Sequence, residues 1–175
     1  QIRAALGEIL KVGETPHVNG FHDFGKKEGW DRIALETREG HLIPILHLRP
    51  ESNKDGYVIM AHTQGKQAIS PDIWKSAAEE GKGIVLMDLS GTGELTSAAD
   101  QAVKITPFHT LARAYSWLGE TLMGEWGKEI AMVADFIREN YGAKNLSFDG
   151  SGEVGLAGLF LNALDDQRFQ EVTLR

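Results

Sequence analysis

The hydrophobic and polar positions along this chain follow two different periods. Residues 30–37 and 41–48 alternate apolar and polar positions around the short polar turn at 38–40, which predicts an antiparallel hairpin. Two continuous apolar runs further along are typical of strands buried on both faces, and apolar residues at helical spacing lie beyond them. The predicted buried strands are Tyr57–Ala61 and Gly83–Asp88, and the predicted helices are Pro71–Glu80 and Met123–Tyr141.

The two ends of the chain complete this layout. Gln1–Val12 has an amphipathic helical pattern, and the glycine-punctuated Val18–Gly29 predicts a loop, so residues 1–29 form a lead-in. Glu171–Leu174 predicts the start of one more strand. Because parallel strands need helical crossovers, we expect a single α/β domain over residues 1–175, built as a three-layer sandwich. In it, an N-terminal β-hairpin leads a mostly parallel sheet.

Charge and composition remove several classes of function. The formal net charge of -7 argues against a nucleic-acid partner, because phosphate binding needs clustered Lys and Arg. The absence of cysteine excludes thiolate metal sites and a cysteine nucleophile, and no apolar run approaches the length of a membrane span. The chain begins at Gln1 rather than Met and stops at Arg175 as a strand begins, from which we expect a processed or truncated protein.

The candidate chemistry is concentrated in a glycine-rich turn. The residues from Asn145 predict a short strand, and the nearly all-apolar Leu156–Leu164 predicts a helix. Between them, Gly150, Gly152 and Gly155 match G-x-G-x-x-G, which brings backbone N–H groups to a dinucleotide pyrophosphate. The same strand–turn–helix unit can be an elbow of the form G-x-S-x-G, which presents a nucleophilic serine above the sheet. In the elbow register, Gly152 stands at the nucleophile position.

Four further segments, in order along the chain, resemble the acetyl xylan esterase-like and prolyl-oligopeptidase-type α/β-hydrolases. Glu36–Pro44 is similar to their opening hairpin, and His62–Lys66 lies where they place the oxyanion loop. Asp88–Glu94 is similar to their D-x-R-G-x-G-E loop, with Ser90 where arginine is usual, and Leu118–Gly124 is similar to the segment that precedes the helix before the elbow. The resemblance covers roughly residues 30–165. It implies an esterase that acts on acylated carbohydrate, such as acetylated xylan, and a secreted or periplasmic location.

The resemblance also implies roles for residues around the turn. Gly152 supplies no nucleophile; Ser151 is the hydroxyl that could substitute, although its expected role is to cap the following helix. The backbone N–H groups of Glu153 and of Thr63 or Gln64 would form the oxyanion hole. None of the six histidines follows Gly152, whereas these hydrolases place the acid and histidine later. We therefore expect a carbohydrate-esterase homologue that is impaired or inactive as this chain.

Other interpretations stay open. A non-catalytic module could bind a glycan, a partner chain or the missing C-terminal part of the fold, or be one repeat of a larger esterase; an unpaired last strand favours this class. The glycines alone favour an NAD(P)-binding domain, in which Arg175 could suit a 2′-phosphate. No other cofactor is expected. His17 and the His22–Asp23 pair match no strong ligand spacing, so no metal site is predicted, and the sequence leaves the oligomeric state open.

Overall fold

A computed structural model describes residues 2–13, 15–52, 56–96, 108–165 and 168–175 of the chain. Its strands, in chain order, are β1 (Val18–Lys27), β2 (Trp30–Thr37), β3 (Leu42–Leu48), β4 (Gly56–His62), β5 (Gly83–Met87), β6 (Asn145–Ser151) and β7 (Glu171–Leu174). They form one seven-stranded sheet in the spatial order β1-β2-β3-β5-β4-β6-β7.

The sheet is mixed, and its two halves differ in strand direction. β1, β2 and β3 pair antiparallel in succession, and β3 also runs antiparallel to β5. From β5 through β4 and β6 to β7, all pairings are parallel. The predicted hairpin of β2 and β3 is confirmed, with Glu36 opposite Leu42 at its closed end. β4 and β5 lie in the middle of the sheet, which explains their continuous apolar runs.

Helices cover both faces of the sheet. Among the described residues they are α1 (Ile2–Leu10), α2 (Pro71–Glu79), α3 (His109–Trp117), α4 (Leu122–Tyr141) and α5 (Glu153–Leu164). Trp74 of α2 packs on one face, against a cluster that includes Val58 and Ile84. Ile130 of α4 and Val154 of α5 belong to the larger cluster on the other face. The fold is therefore the expected three-layer α/β sandwich.

The longest described helix, α4, has defined ends. The Thr121 hydroxyl accepts a hydrogen bond from the Gly124 N–H at 2.9 Å, which satisfies a backbone donor of the first turn. Gly142 ends the helix in the left-handed conformation, at φ 68°. No helix of the described residues is both long enough and apolar enough to span a membrane.

One local expectation is wrong, and one helix was not predicted. Val18–Gly29 is not a loop: most of it is β1, an edge strand whose exposed side chains show no alternating pattern. α3 was not predicted; it buries no residue fully, and its Leu111, Ala112 and Tyr115 side chains pack at the margin of the main core cluster. The helix after the glycine turn, α5, begins at Glu153, so its first turn precedes the apolar segment Leu156–Leu164.

Candidate functional site

The glycine turn between β6 and α5 has the backbone of a strand-to-helix elbow. β6 ends at Ser151, α5 begins at Glu153, and a single residue, Gly152, makes the turn with φ 74° and ψ -148°. A positive φ with this ψ is almost restricted to glycine and is strained for other residues. The elbow stands at the carboxyl end of the parallel strands, beside His62 of β4, which is paired with Ser151 in the sheet. Ligands bind at this edge in open α/β sheets.

Thr63 occupies the space in front of Gly152. A Cβ atom added at Gly152 would lie 2.4 Å from Thr63 Oγ1 and 3.1 Å from Thr63 Cβ. The Thr63 hydroxyl lies 2.9 Å from Glu153 Oε2 and 3.1 Å from the Ser151 carbonyl oxygen, so two acceptors share its single proton. The space that an elbow serine would use for its side chain is therefore filled by a hydrogen-bonded threonine.

Ser151 does not cap the following helix, so that prediction is wrong. The N-cap of α5 is Gly152, and the side chain that reaches the first turn is that of Thr63, whose Oγ1 accepts a hydrogen bond from the Val154 N–H at 3.5 Å. Ser151 is the last residue of β6, paired with His62, and is partly buried. The turn comes one residue later than a serine cap would need. Ser151 therefore still belongs to the strand, and the alternation of side chains along β6 sets the direction of its side chain.

The three predicted oxyanion donors come together at the elbow, but two are already bonded. The Thr63 N–H donates to the Ser151 carbonyl oxygen at 3.0 Å. The Gln64 N–H donates to His62 Nδ1 at 2.9 Å. Glu153 is the first residue of α5, a position where the N–H has no acceptor within the helix and where a negative side chain interacts favourably with the helix dipole. An oxyanion hole at these groups stays a prediction.

The glycines that suggest a dinucleotide site are used for packing. A Cβ on Gly150 would come within 2.4 Å of the Gly155 Cα, so these two glycines let β6 and α5 approach closely. One backbone donor of the turn already has a protein acceptor: the Gly152 N–H donates to the Arg175 carbonyl oxygen at 2.9 Å. The Arg175 side chain binds the Asp149 carboxylate, with Nε 2.9 and 3.0 Å from its oxygens. Nothing in this geometry favours a pyrophosphate over close packing.

A buried ion pair joins the two loops beside the elbow. Lys66 Nζ lies 2.6 Å from Asp88 Oδ2, and both side chains are almost fully buried. Asp88 also accepts hydrogen bonds from the backbone N–H groups of Lys66 and Glu94. Glu94 is exposed and forms a second ion pair with Lys66. These contacts fix the relative position of the loops that follow β4 and β5.

A second polar cluster, which sequence reasoning missed, lies behind Ser90. The Glu129 side chain of α4 is 3% exposed; it accepts hydrogen bonds from the Ser90 N–H at 2.9 Å and from the Ser90 hydroxyl. Burial raises the pKa of Glu129 to about 8, although both hydrogen bonds act to lower it. His41 Nε2 lies 3.7 Å from Glu129 Oε1. The only sequence signal for this cluster is Ser90 itself, at the position where arginine is usual.

Comparisons with known proteins agree with the fold and leave the activity open. No family model matches the chain, and no curated protein matches it. Among solved structures, a candidate acetyl xylan esterase from Bacteroides fragilis is similar over 95% of this chain and 50% of its own, with 18% identity and a TM-score of 0.70. Acetyl xylan esterase 1 from Thermoanaerobacterium is similar over 95% of this chain and 53% of its own, with 15% identity and a TM-score of 0.61.

A third similar structure is not named as an acetyl xylan esterase. Dienelactone hydrolase from Anabaena variabilis is similar over 85% of this chain and 64% of its own, with 18% identity and a TM-score of 0.59. The chain thus spans about half the length of the first of these structures. Sheet order, elbow and neighbours agree: this chain has the α/β-hydrolase fold, similar in its structure to acetyl xylan esterases and other ester hydrolases.

Proposed function

We propose that this chain is an α/β-hydrolase-fold relative of the carbohydrate esterases in which hydrolysis at the elbow is lost or severely impaired. The observation that carries the proposal is the nucleophile position: Gly152 has no side chain, and Thr63 Oγ1 would lie 2.4 Å from any Cβ placed there. Without a nucleophile, no acyl-enzyme forms, so donors at the elbow would have no tetrahedral intermediate to stabilise.

The substrate class comes from the structural neighbours. Two of them are named as acetyl xylan esterases, and the match covers nearly all of this chain. By that analogy the ancestral substrate is an acylated carbohydrate, and the elbow edge of the sheet is where it would bind. The chain spans about half the length of those structures, so the proposed substrate class rests on the part of the fold that they share.

The two nearby hydroxyl groups are poorly placed to replace the serine. Within the described residues, neither the Ser151 hydroxyl nor the Thr63 hydroxyl forms a hydrogen bond to a histidine. His62, the nearest in the sheet, uses Nδ1 to accept from the Gln64 N–H. An activated serine or threonine needs a general base within hydrogen-bond reach, and the acceptor closest to Thr63 is the Glu153 carboxylate, on an exposed residue.

The experiment is hydrolysis of a generic acetyl ester by the purified chain, with Ser151→Ala and Gly152→Ser variants alongside. We expect all three proteins to hydrolyse the ester at the rate of the buffer blank. Turnover by the parent chain that disappears in Ser151→Ala would refute the proposal, because it would identify a displaced nucleophile. Turnover gained only in Gly152→Ser would support the claim that hydrolysis is lost because Gly152 has no side chain. It would contradict the claim that Thr63 blocks a serine at that position.

A second candidate function, a module that binds a partner chain, is favoured by the edge of β7. β7 pairs only with β6 among the described strands, and Leu174 at its end is 47% exposed. The Arg175 N–H donates to the Gly150 carbonyl oxygen, so the strand alternation turns the Leu174 N–H towards the open edge. An open edge of this kind accepts an added strand.

Sedimentation over a range of concentrations tests this second candidate. Self-association that Leu174→Pro abolishes would support strand addition, because proline removes the outward donor while the β6 pairing is kept. A chain that stays monomeric, or association that Leu174→Pro leaves unchanged, would count against an edge-to-edge contact between copies.

A further inference from the structure

We propose that His41, Glu125 and Glu129 form a binding site for a divalent transition cation such as Zn²⁺. One ligand atom from each residue is available, and these atoms all lie within 4.8 Å of one another. The donor set is one imidazole nitrogen and two carboxylates, which belongs to the ligand types that zinc binds. This site does not depend on the proposed function, since none of its residues lies at the elbow.

Two elements place the three side chains. Glu125 and Glu129 are four residues apart on α4, so they project from the same face of the helix. His41 lies at the β2–β3 turn, directly before β3. His41 Nε2 is 3.7 Å from Glu129 Oε1, close to the separation of roughly 3.4 Å that two ligands about 2.1 Å from one tetrahedral zinc would have. Small side-chain rotations would complete the set.

The electrostatics of the cluster favour an added positive charge. Glu129 is almost completely buried, and the ionised form of a buried carboxyl group is costly unless a cation accompanies it. Its hydrogen bonds come from Ser90, a neutral residue, and the one basic group within 4 Å among the described residues is His41. Each carboxylate oxygen has a second lone pair, so coordination would not displace Ser90. Ser90 would then hold the ligand in place from behind.

One nearby cation competes for the site. Lys128 Nζ lies 2.7 Å from Glu125 Oε2 and 3.6 Å from Glu120 Oε2. When a metal binds Glu125, Lys128 can keep its contact with Glu120. Because Lys128 competes with the metal for Glu125, removing the lysine charge should strengthen metal binding.

The site is open to solvent on one side. A groove of about 490 Å³ reaches it and is lined by His41, Glu125 and Lys128 together with the loop around His17 and the turn at Arg38 and Glu39. An ion can enter through this groove, and a water molecule can complete the coordination, as in zinc sites with three protein ligands. A histidine in the set favours zinc over magnesium or calcium, which prefer oxygen ligands alone.

The test is titration of the chelator-treated, untagged full chain with ZnCl₂ by calorimetry, together with thermal unfolding. We expect one equivalent of Zn²⁺ to bind and to raise the unfolding temperature, since the ion binds the folded state. His41→Ala, at a partly exposed residue, and Glu129→Gln, which keeps size and acceptor, should each weaken binding by about tenfold or more. Lys128→Gln should strengthen it.

A matched control separates this site from any exposed His–Glu pair. His22 Nε2 lies 2.9 Å from Glu36 Oε2 on the surface of the same sheet, so His22→Ala removes a comparable pair and should leave Zn²⁺ binding unchanged. Co²⁺ in place of zinc should give a visible absorption band that His41→Ala abolishes. No zinc binding by the parent chain would overturn the proposal, as would binding that survives both His41→Ala and Glu129→Gln.

Discussion

Acidification should destabilise this protein through one buried histidine, His47. The side chain is 0% exposed, and neither ring nitrogen has a hydrogen-bond partner among the described residues. The ring lies against the aromatic rings of Tyr141 and Tyr57, with centroids 4.2 and 5.8 Å away. The charged groups near it are Asp31, whose Oδ2 lies 3.7 Å from Nδ1, and the more distant cations Arg49 and Lys26.

The direction and size of the effect follow from the pKa of His47. Burial lowers this pKa from its ordinary 6.5 to about 4, and the attraction of Asp31 only partly offsets the burial. Between these two values, the unfolded chain binds a proton that the folded chain does not. Stability is therefore complete above pH 6.5 and falls as the pH drops towards 4, by about 3 kcal/mol from this residue at pH 4.

Urea unfolding from pH 7 to pH 4 measures the effect, with His47→Leu as the comparison. Leucine keeps an apolar side chain between the two tyrosines, removes the unpaired ring nitrogens and cannot titrate, so we expect it to equal or exceed the parent stability at pH 7. The stability advantage of the variant should then widen by about 3 kcal/mol at pH 4. Carboxylates titrate in both proteins and cancel in this difference. Parallel pH profiles for the two proteins would refute the reasoning.

Two further predictions concern the loops around the elbow. Gly152→Ser should lower the unfolding free energy by about 1–3 kcal/mol, because the turn needs a positive φ and Thr63 fills the space beside Gly152. In a double-mutant cycle, Thr63→Ala should recover part of that loss. Strictly additive effects of the two substitutions would contradict the contact between these residues. Lys66→Met should cost about 3–5 kcal/mol in chemical denaturation, because it leaves Asp88 buried without its cation. Glu94→Gln, at a carboxylate 55% exposed, should cost less than about 1 kcal/mol; equal costs would mean that burial is not the cause.

Much of the architecture could be predicted from the sequence because it depends on local periodicity. The alternation in β3 and the apolar runs of β4 and β5 reflect one-sided and two-sided burial, which the sequence displays directly. β1 was missed because it has no such burial pattern. Almost all of its residues are exposed, and it is a strand through its pairing with β2.

The site was predicted less completely because its contacts are not local. The pattern predicts Gly152 at the nucleophile position, but nothing in the sequence relates Gly152 to Thr63, which the parallel pairing of β4 and β6 brings alongside. The cluster of His41, Ser90 and Glu129 likewise joins a turn, a loop and a helix far apart in the chain. Ser151 was expected to cap a helix, yet the turn residue itself takes the cap position.

The most direct test of the central claim is peptide mapping by mass spectrometry after brief incubation with an acetyl ester. Gly152 has no side chain and Thr63 fills the space where one would stand, so we predict no acetyl group on the peptides that carry Ser151 and Thr63. An acetyl group on either hydroxyl that forms and then turns over, and that is lost when that residue is changed to alanine, would contradict the account and identify a working nucleophile.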